Sequence, residues 1–191
     1  MRATADVTIL TASMPERAGM LGELCASVAA QTVAPRAHLI AVDHPRDGFV
    51  ATINRLAAQV TTTWLMVMCD DDLLDPHHLA TVTAAAGWYD VAYTWCRSEG
   101  RDGWSPNAEF DADTLRHRNF IPGGAALVRT SLWQQLGGYR KTTDWDCAED
   151  WDFWMRALEV GAEFVCEPKV TWTYRFHGQN LSLGQLPYDC K

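Results

Sequence analysis

No long apolar stretch runs through this 191-residue sequence. Its longest apolar run, Trp64-Leu65-Met66-Val67-Met68-Cys69, has six residues, against the roughly 20 that a membrane-spanning helix needs. The opening segment Met1-Arg2-Ala3-Thr4-Ala5-Asp6 lacks the apolar core of a signal peptide, so a cytoplasmic domain with no transmembrane segment is expected. Basic charge is scarce: 16 Lys and Arg stand against 24 Asp and Glu, a net −8. Such a chain is poorly suited to broad phosphate-backbone contact, and nucleic acid is not an expected partner. Zinc-site spacing is missing too, because none of the six cysteines (25, 69, 96, 147, 166, 190) forms a C-x-x-C pair. Without a secretory signal, free thiols acting as small hydrophobes are expected rather than disulfides. Repeats and low-complexity tracts are absent.

What is present is enough apolar material, 48% of the chain, to bury the core of one domain. Strand-like runs at Val7–Leu10, His38–Val42, Trp64–Cys69 and Asp90–Trp95 alternate with helical patterns. The helices run from Pro15 to Gln31, from Phe49 to Val60, and from Asp75-Pro76, read as N-cap and N1, to Ala86. Continuously apolar strands in such an alternation predict parallel pairing with helices on both faces, and ligands bound at the strands' carboxyl ends. Asp43 and the Asp70-Asp71-Asp72 cluster fall at two such ends. Residues 97–120 are polar and turn-rich and predict a loop over the sheet. A strand at Ala125–Val128, helices at Ser131–Leu136 and Ala148–Val160, and strands at Glu163–Cys166 and Val170–Tyr174 follow.

Three consecutive aspartates at the end of a buried strand are costly unless they reach solvent or hold a cation. Carboxylates there suit Mg²⁺ or Mn²⁺, hard ions that share their ligands with a diphosphate; a solvated acidic turn before a helix N-terminus fits the same residues. Asp146 and Glu149 have capping-box spacing. That leaves Asp150, beside Trp151, as a carboxylate able to act as a general base. His177, just past the last strand, fits either a ligand or a surface histidine. His77 and His78 are read as structural or exposed. Most of the nine tryptophans are expected in the core, with one or two available to stack on a sugar ring.

In order, Val7-Thr8-Ile9-Leu10, Ser27 to Thr32, Val42-Asp43, Asn54, Asp70-Asp71-Asp72, Gly123 to Arg129, Gly137-Gly138-Tyr139, Glu149 to Arg156 and Tyr174-Arg175-Phe176-His177 resemble the family 2 glycosyltransferases over residues 6–182. The resemblance implies a GT-A, Rossmann-like α/β fold, a mixed and mostly parallel sheet flanked by helices in a single domain over 1–191. Within it, 1–96 would be the nucleotide-binding half and 97–191 the acceptor and catalytic half. It also implies site residues. Thr11 and Ser13 match the loop around the nucleotide, Asp43 the acid that meets the base, and Asn54, Asp70 and Asp71 further donor-binding positions. Asp72 matches the metal-binding end of the D-x-D motif, with His177 near the metal and diphosphate. Gly123 and Gly124 match a loop beside the donor sugar or acceptor, and Asp150 matches the general base. Two departures lie near the expected nucleotide pocket. The chain reads Asp43-His44-Pro45-Arg46-Asp47 where the family often has D-D-G-S-x-D, and Ile53 stands before Asn54 where the family often has arginine.

The implied activity is metal-dependent, inverting transfer of a sugar from a nucleotide-diphosphate sugar, a UDP sugar foremost, to the hydroxyl of a glycan, protein or small molecule, with Mn²⁺ or Mg²⁺ as cofactor. Two other readings are open: a non-catalytic, tryptophan-rich carbohydrate-binding module, and a haloacid-dehalogenase-type phosphatase, whose nucleophile strand Leu65–Asp72 superficially resembles.

Overall fold

The alternation of continuously apolar strands with amphipathic helices is realised, with one reversal in the middle of the sheet. A computed structural model describes residues 2–42, 47–141, 149–178 and 180. The first half gives β1 (Thr4–Ser13), a 3₁₀ turn at Pro15–Arg17, α1 (Ala18–Ala29), β2 (Ala34–Val42), α2 (Gly48–Ala57), β3 (Trp64–Val67), β4 (Leu73–Leu74), α3 (His78–Ala86) and β5 (Val91–Glu99). The second half adds α4 (Ala112–His117), β6 (Leu127–Arg129), α5 (Thr130–Leu136), α6 (Glu149–Glu159) and β7 (Phe164–Arg175). Among the described residues these strands form one sheet in the order β2-β1-β3-β6-β5-β7-β4.

The long ladders, β1 with β2, β1 with β3 and β5 with β7, are parallel. The short ones, β3 with β6, β5 with β6 and β4 with β7, are antiparallel. The sheet is thus mixed and mostly parallel, as the resemblance implies, and the parallel pairing that the apolar runs suggest does not extend to β4 and β6. Strands from both halves of the sequence interleave in it.

Strand alternation sends successive side chains to opposite faces. Leu10, Leu65, Val67, Val91 and Tyr93 meet Ile53 and Leu56 of α2, Trp133 of α5 and Trp154 of α6. Ile9, Met66, Met68 and Ala92 meet Leu24 and Val28 of α1 and Leu79 and Val82 of α3. Burial on both faces is why these strands read as unbroken apolar runs.

Several local expectations change. The polar stretch 97–120 contains α4, capped where the Asp111 carboxylate accepts the Thr114 N–H at 2.6 Å. The two C-terminal runs are one strand, β7: the β5–β7 register shifts between Thr94 and Cys96, and Pro168 and Lys169, both exposed, sit in the irregularity. Asp75 does not cap α3. Its carboxylate holds Arg97 at 2.6–2.7 Å while its carbonyl accepts the His78 N–H. His77 is exposed, but His78 is fully buried, with Nδ1 2.8 Å from Thr171 Oγ1, and burial lowers its pKa to about 4. Cys25, Cys69, Cys96 and Cys166 are free thiols. Asp43, Asp146, Cys147, Ala148 and Cys190 lie outside the described residues.

Candidate active site

Beyond the carboxyl ends of β1 and β3 opens a cavity of about 680 Å³. Its floor is the turn after β3. Met68 goes into the core, Cys69 turns to the cavity, and Asp70, Asp71 and Asp72 follow, all three buried. Buried carboxylates need partners. Asp70 takes Ser13 Oγ–H at 2.7 Å and Arg17 Nη1 at 3.1 Å. Asp71 Oδ2 accepts from the same Arg17 Nη1 at 3.0 Å and lies 3.0 Å from His177 Nε2. Asp72 Oδ1 accepts the Arg175 backbone N–H at 2.9 Å, while the Arg175 guanidinium bonds the Asp71 carbonyl and Glu23 of α1. Burial, then the neighbouring Asp71 charge, pushes the Asp72 carboxyl well above the usual carboxylate range. Excess negative charge at an oxygen-rich turn fits a divalent cation. Among the described residues, Cys69, Asp71 and Asp72 are the group whose ligand atoms lie within 4.8 Å of one another. His177 reaches this group by way of Asp71.

The opposite wall is the start of α6 and the loop before β6. Asp150 Oδ2 accepts the Gly123 N–H at 2.8 Å, and its other oxygen accepts the Trp151 N–H at 2.7 Å. Burial, then repulsion from Glu149, pushes the Asp150 carboxyl up to about 7, and burial raises Glu149 in the same direction. The loop must run close to Asp150: a Cβ on Gly123 would sit 2.8 Å from the Asp150 Cβ and 3.2 Å from the Tyr139 hydroxyl oxygen. Gly124 follows, and a Cβ there would lie 3.8 Å from Asp72 Oδ2. Adjacent residues of one loop thus touch both acidic groups. The loop then closes through Ala125, at φ 64°, whose N–H donates to the Val67 carbonyl at 3.0 Å.

Of the expected site residues, Ser13, Asp70, Asp71, Asp72, Gly123, Gly124 and Asp150 border the cavity. Thr11 and Asn54 stand behind its wall. The fully buried Thr11 hydroxyl donates to the Met68 carbonyl at 3.0 Å and lies 2.9 Å from His38 Nε2. The Asn54 amide brackets the Tyr139 backbone, donating to its carbonyl at 2.8 Å and accepting its N–H at 3.0 Å. That bracket requires glycine at 138, φ 74°, because a Cβ there would collide with the Asn54 amide. The loop 97–120 contributes Trp104, which packs on Tyr174 and Phe176.

Four contributors carry little signal in the sequence. Arg17 has none beyond being a cation soon after the first strand. Cys69 has only its place before the aspartates, Tyr139 only its two preceding glycines, and Glu149 fits the capping pattern. Arg118 and Lys141 add exposed positive charge at the rim.

No protein-family model matches the chain, and no curated protein matches it. Solved structures do match in fold. S. aureus TarS 1–349 in complex with UDP is similar with a TM-score of 0.68 at 13% identity, over 89% of this chain and 60% of that one. The same protein in complex with UDP-GlcNAc gives 0.68 at 12%, over 91% and 59%. Mannosyltransferase PcManGT from Pyrobaculum calidifontis, in complex with GDP-Man and Mn²⁺, gives 0.67 at 15%, over 92% and 58%. This chain spans about 60% of the length of these neighbours. At such identities the likeness concerns the fold, and the fold is the Rossmann-like GT-A α/β arrangement expected from the sequence. No helix among the described residues is long and apolar enough to cross a membrane.

Proposed function

We propose that this chain is an inverting glycosyltransferase of the family 2 type, moving a sugar from a nucleoside-diphosphate sugar, UDP-linked foremost, to an acceptor hydroxyl. The observation that carries this reading is the Gly123-Gly124 loop. One N–H holds Asp150, the next residue lies over Asp72, and a proton acceptor therefore borders the same cavity as a carboxylate cluster suited to a cation. Asp71 and Asp72, with His177 beside Asp71, would hold Mn²⁺ or Mg²⁺, which when bound offsets the negative charge growing on a departing diphosphate.

The rest falls to the chain itself. Ser13 and Asp70 border the donor side, with Arg17 fixing Asp70 and Asp71 in place. Asp43, outside the described residues, is assigned to the base. Thr11 and Asn54 position the wall instead of touching the donor. Asp150 takes the proton of the acceptor hydroxyl while that oxygen forms its bond to the anomeric carbon and the bond to the diphosphate oxygen breaks. A single displacement inverts that carbon. Trp104 and the loop carrying it supply the acceptor side.

The test is thermal unfolding with nucleoside diphosphates and their sugars, with and without Mn²⁺. A ligand at 100-fold its Kd adds about 2.7 kcal/mol. A shift with UDP or a UDP sugar that grows with Mn²⁺ in the wild type, and loses its Mn²⁺-dependent part in Asp72→Ala, is the expected result. Stabilisation by free sugars alone, indifferent to metal and nucleotide, would turn the assignment into a carbohydrate-binding module.

A further inference from the structure

The residue immediately before the three aspartates faces the same cavity as they do. Strand alternation buries Met68 in the sheet, turns Cys69 outward, and makes it a cavity residue. Its Sγ, an Asp71 oxygen and an Asp72 oxygen all lie within 4.8 Å of one another, the group of this kind among the described residues. Asp70 stands outside it, occupied by Ser13 and Arg17. A cation with metal–sulfur bonds of about 2.3 Å and metal–oxygen bonds of about 2.1 Å holds neighbouring tetrahedral ligands about 3.5 Å apart, so the three atoms close on one ion when their side chains move inward by about 1 Å. The donor set is mixed, two hard carboxylates and one soft sulfur.

We propose that Cys69 is a direct ligand of the divalent cation in this site, and that it biases the protein toward Mn²⁺, Co²⁺, Zn²⁺ or Cd²⁺ over Mg²⁺. The inference rests on the glycosyl-transfer reading for why a cation is there at all. Mg²⁺ keeps to oxygen, Mn²⁺, also a hard ion, accepts sulfur more readily than Mg²⁺ does, and thiolate favours the softer, later ions most. When the bond forms, the thiol proton passes to solvent, the sulfur lone pair goes to the metal, and nothing is oxidised or reduced. The free thiols Cys25, Cys96 and Cys166 do not border the cavity.

The experiment titrates the full reduced chain with Co²⁺, without nucleotide, and reads the near-ultraviolet thiolate-to-cobalt charge-transfer band. The band is expected to saturate at one ion per chain, to vanish in Cys69→Ser, and to survive in Cys147→Ser. Calorimetry in parallel compares Mn²⁺ with Mg²⁺. The preference for Mn²⁺ should fall in Cys69→Ser by at least the roughly tenfold that losing even an outer partner of a metal site costs. Should Cys69→Ser fail to fold, iodoacetamide labelling of Cys69 in the wild type, read by peptide mass, gives the same answer: Mn²⁺ or Cd²⁺ should slow it and equal Mg²⁺ should not. Co²⁺ bound without the band, or a band that survives Cys69→Ser, overturns the role of Cys69. If Asp72→Ala still abolishes the Co²⁺ binding, the cation site itself stands. If neither a divalent ion nor a nucleotide binds, Cys69 and the glycosyl-transfer reading fall together.

Discussion

Two acidic segments border one cavity, and they differ in what answers their charge. In the Asp70–Asp72 turn, fixed cations are built in. Arg17 meets two carboxylates at 3.0–3.1 Å, and Arg175 grips the turn through its guanidinium and its backbone N–H. At the start of α6, Asp150 meets the N–H groups of Gly123 and Trp151, and its nearest charged influence is another carboxylate, Glu149. Under the proposed function the two environments serve two tasks: Asp70 and Asp71, braced by a guanidinium, would hold the turn in place for a cation, and Asp150, beside Glu149, would exchange a proton. Asp72 is raised as well, by burial and by the Asp71 charge, so it is the member of the turn whose charge a cation would relieve most.

The largest effect that would sharpen this contrast is expected from Asp150→Asn. It removes the proton acceptor and keeps the shape, so sugar transfer should fall by about 10²- to 10⁴-fold, with donor affinity near that of the wild type. In the wild type, transfer should rise with pH through about 7 as Asp150 loses its proton. The stability consequence has the opposite sign. Because the folded-state pKa is raised above the unfolded value, the folded protein binds more protons between about 4 and 7, and its stability falls as pH rises through that window. Asp150→Asn should therefore flatten that slope and unfold at a higher temperature than the wild type at pH 8. A variant with wild-type turnover, or one that melts lower at pH 8, would break the contrast at this end.

Arg17→Met tests the other end. It deletes a buried guanidinium and leaves Asp70 and Asp71 without the cation they share. Removing one partner of a buried pair costs about 3 kcal/mol, measured by denaturant unfolding without metal. Mn²⁺ should restore part of the loss, since an added cation supplies charge at Asp71, one of the two carboxylates the arginine meets. Equal losses with and without Mn²⁺ would mean that the turn does not receive a cation.

These two ends were not equally legible in the sequence. Strands β1, β3 and β5 announced themselves because burial on both faces leaves no polar alternation. The aspartate turn was visible because three charges ending an apolar run have no packing explanation. Arg17 was not, since its partners lie more than 50 positions away and only the fold brings them together. The reversal of β6 was equally hidden, because a three-residue strand carries no direction in its composition. Helix α4 was lost in a polar stretch where Leu115 is its buried residue. Thr11 and Asn54 were matched to donor positions by their place in the order of motifs. The structure gives their hydrogen bonds to Met68, His38 and Tyr139, a commitment that no pattern of residue types reveals.

Gly123→Ala addresses the loop that joins the two segments. The new Cβ would press on Asp150, which the N–H groups of Gly123 and Trp151 hold in place. Overpacking of this kind costs about 1–3 kcal/mol. Here it should appear as roughly a tenfold fall in turnover with donor affinity preserved, because Gly123 touches Asp150 and not the aspartate turn. A loss of Mn²⁺-dependent nucleotide binding with turnover per bound donor unchanged would assign the loop to the wrong segment.

The smallest effect is expected from His177→Ala, and it measures how far the braced turn depends on partners other than arginine. His177 Nε2 shares Asp71 Oδ2 with Arg17, so that oxygen keeps a charged donor when the ring is gone. The remaining loss is one hydrogen bond to a carboxylate that keeps its charged donor, worth about 1 kcal/mol, and it falls on Asp71 and leaves Asp72, with its own bond from the Arg175 backbone N–H, in place. Mn²⁺-dependent affinity for UDP should therefore weaken by about fivefold, less than in Asp72→Ala, while UDP binding without Mn²⁺ stays as it was. Calorimetry of UDP binding to both variants, with and without Mn²⁺, decides the matter. If His177→Ala abolishes the metal-dependent part as completely as Asp72→Ala, the histidine is itself a ligand of comparable weight. The aspartate turn would then be completed from the far end of β7.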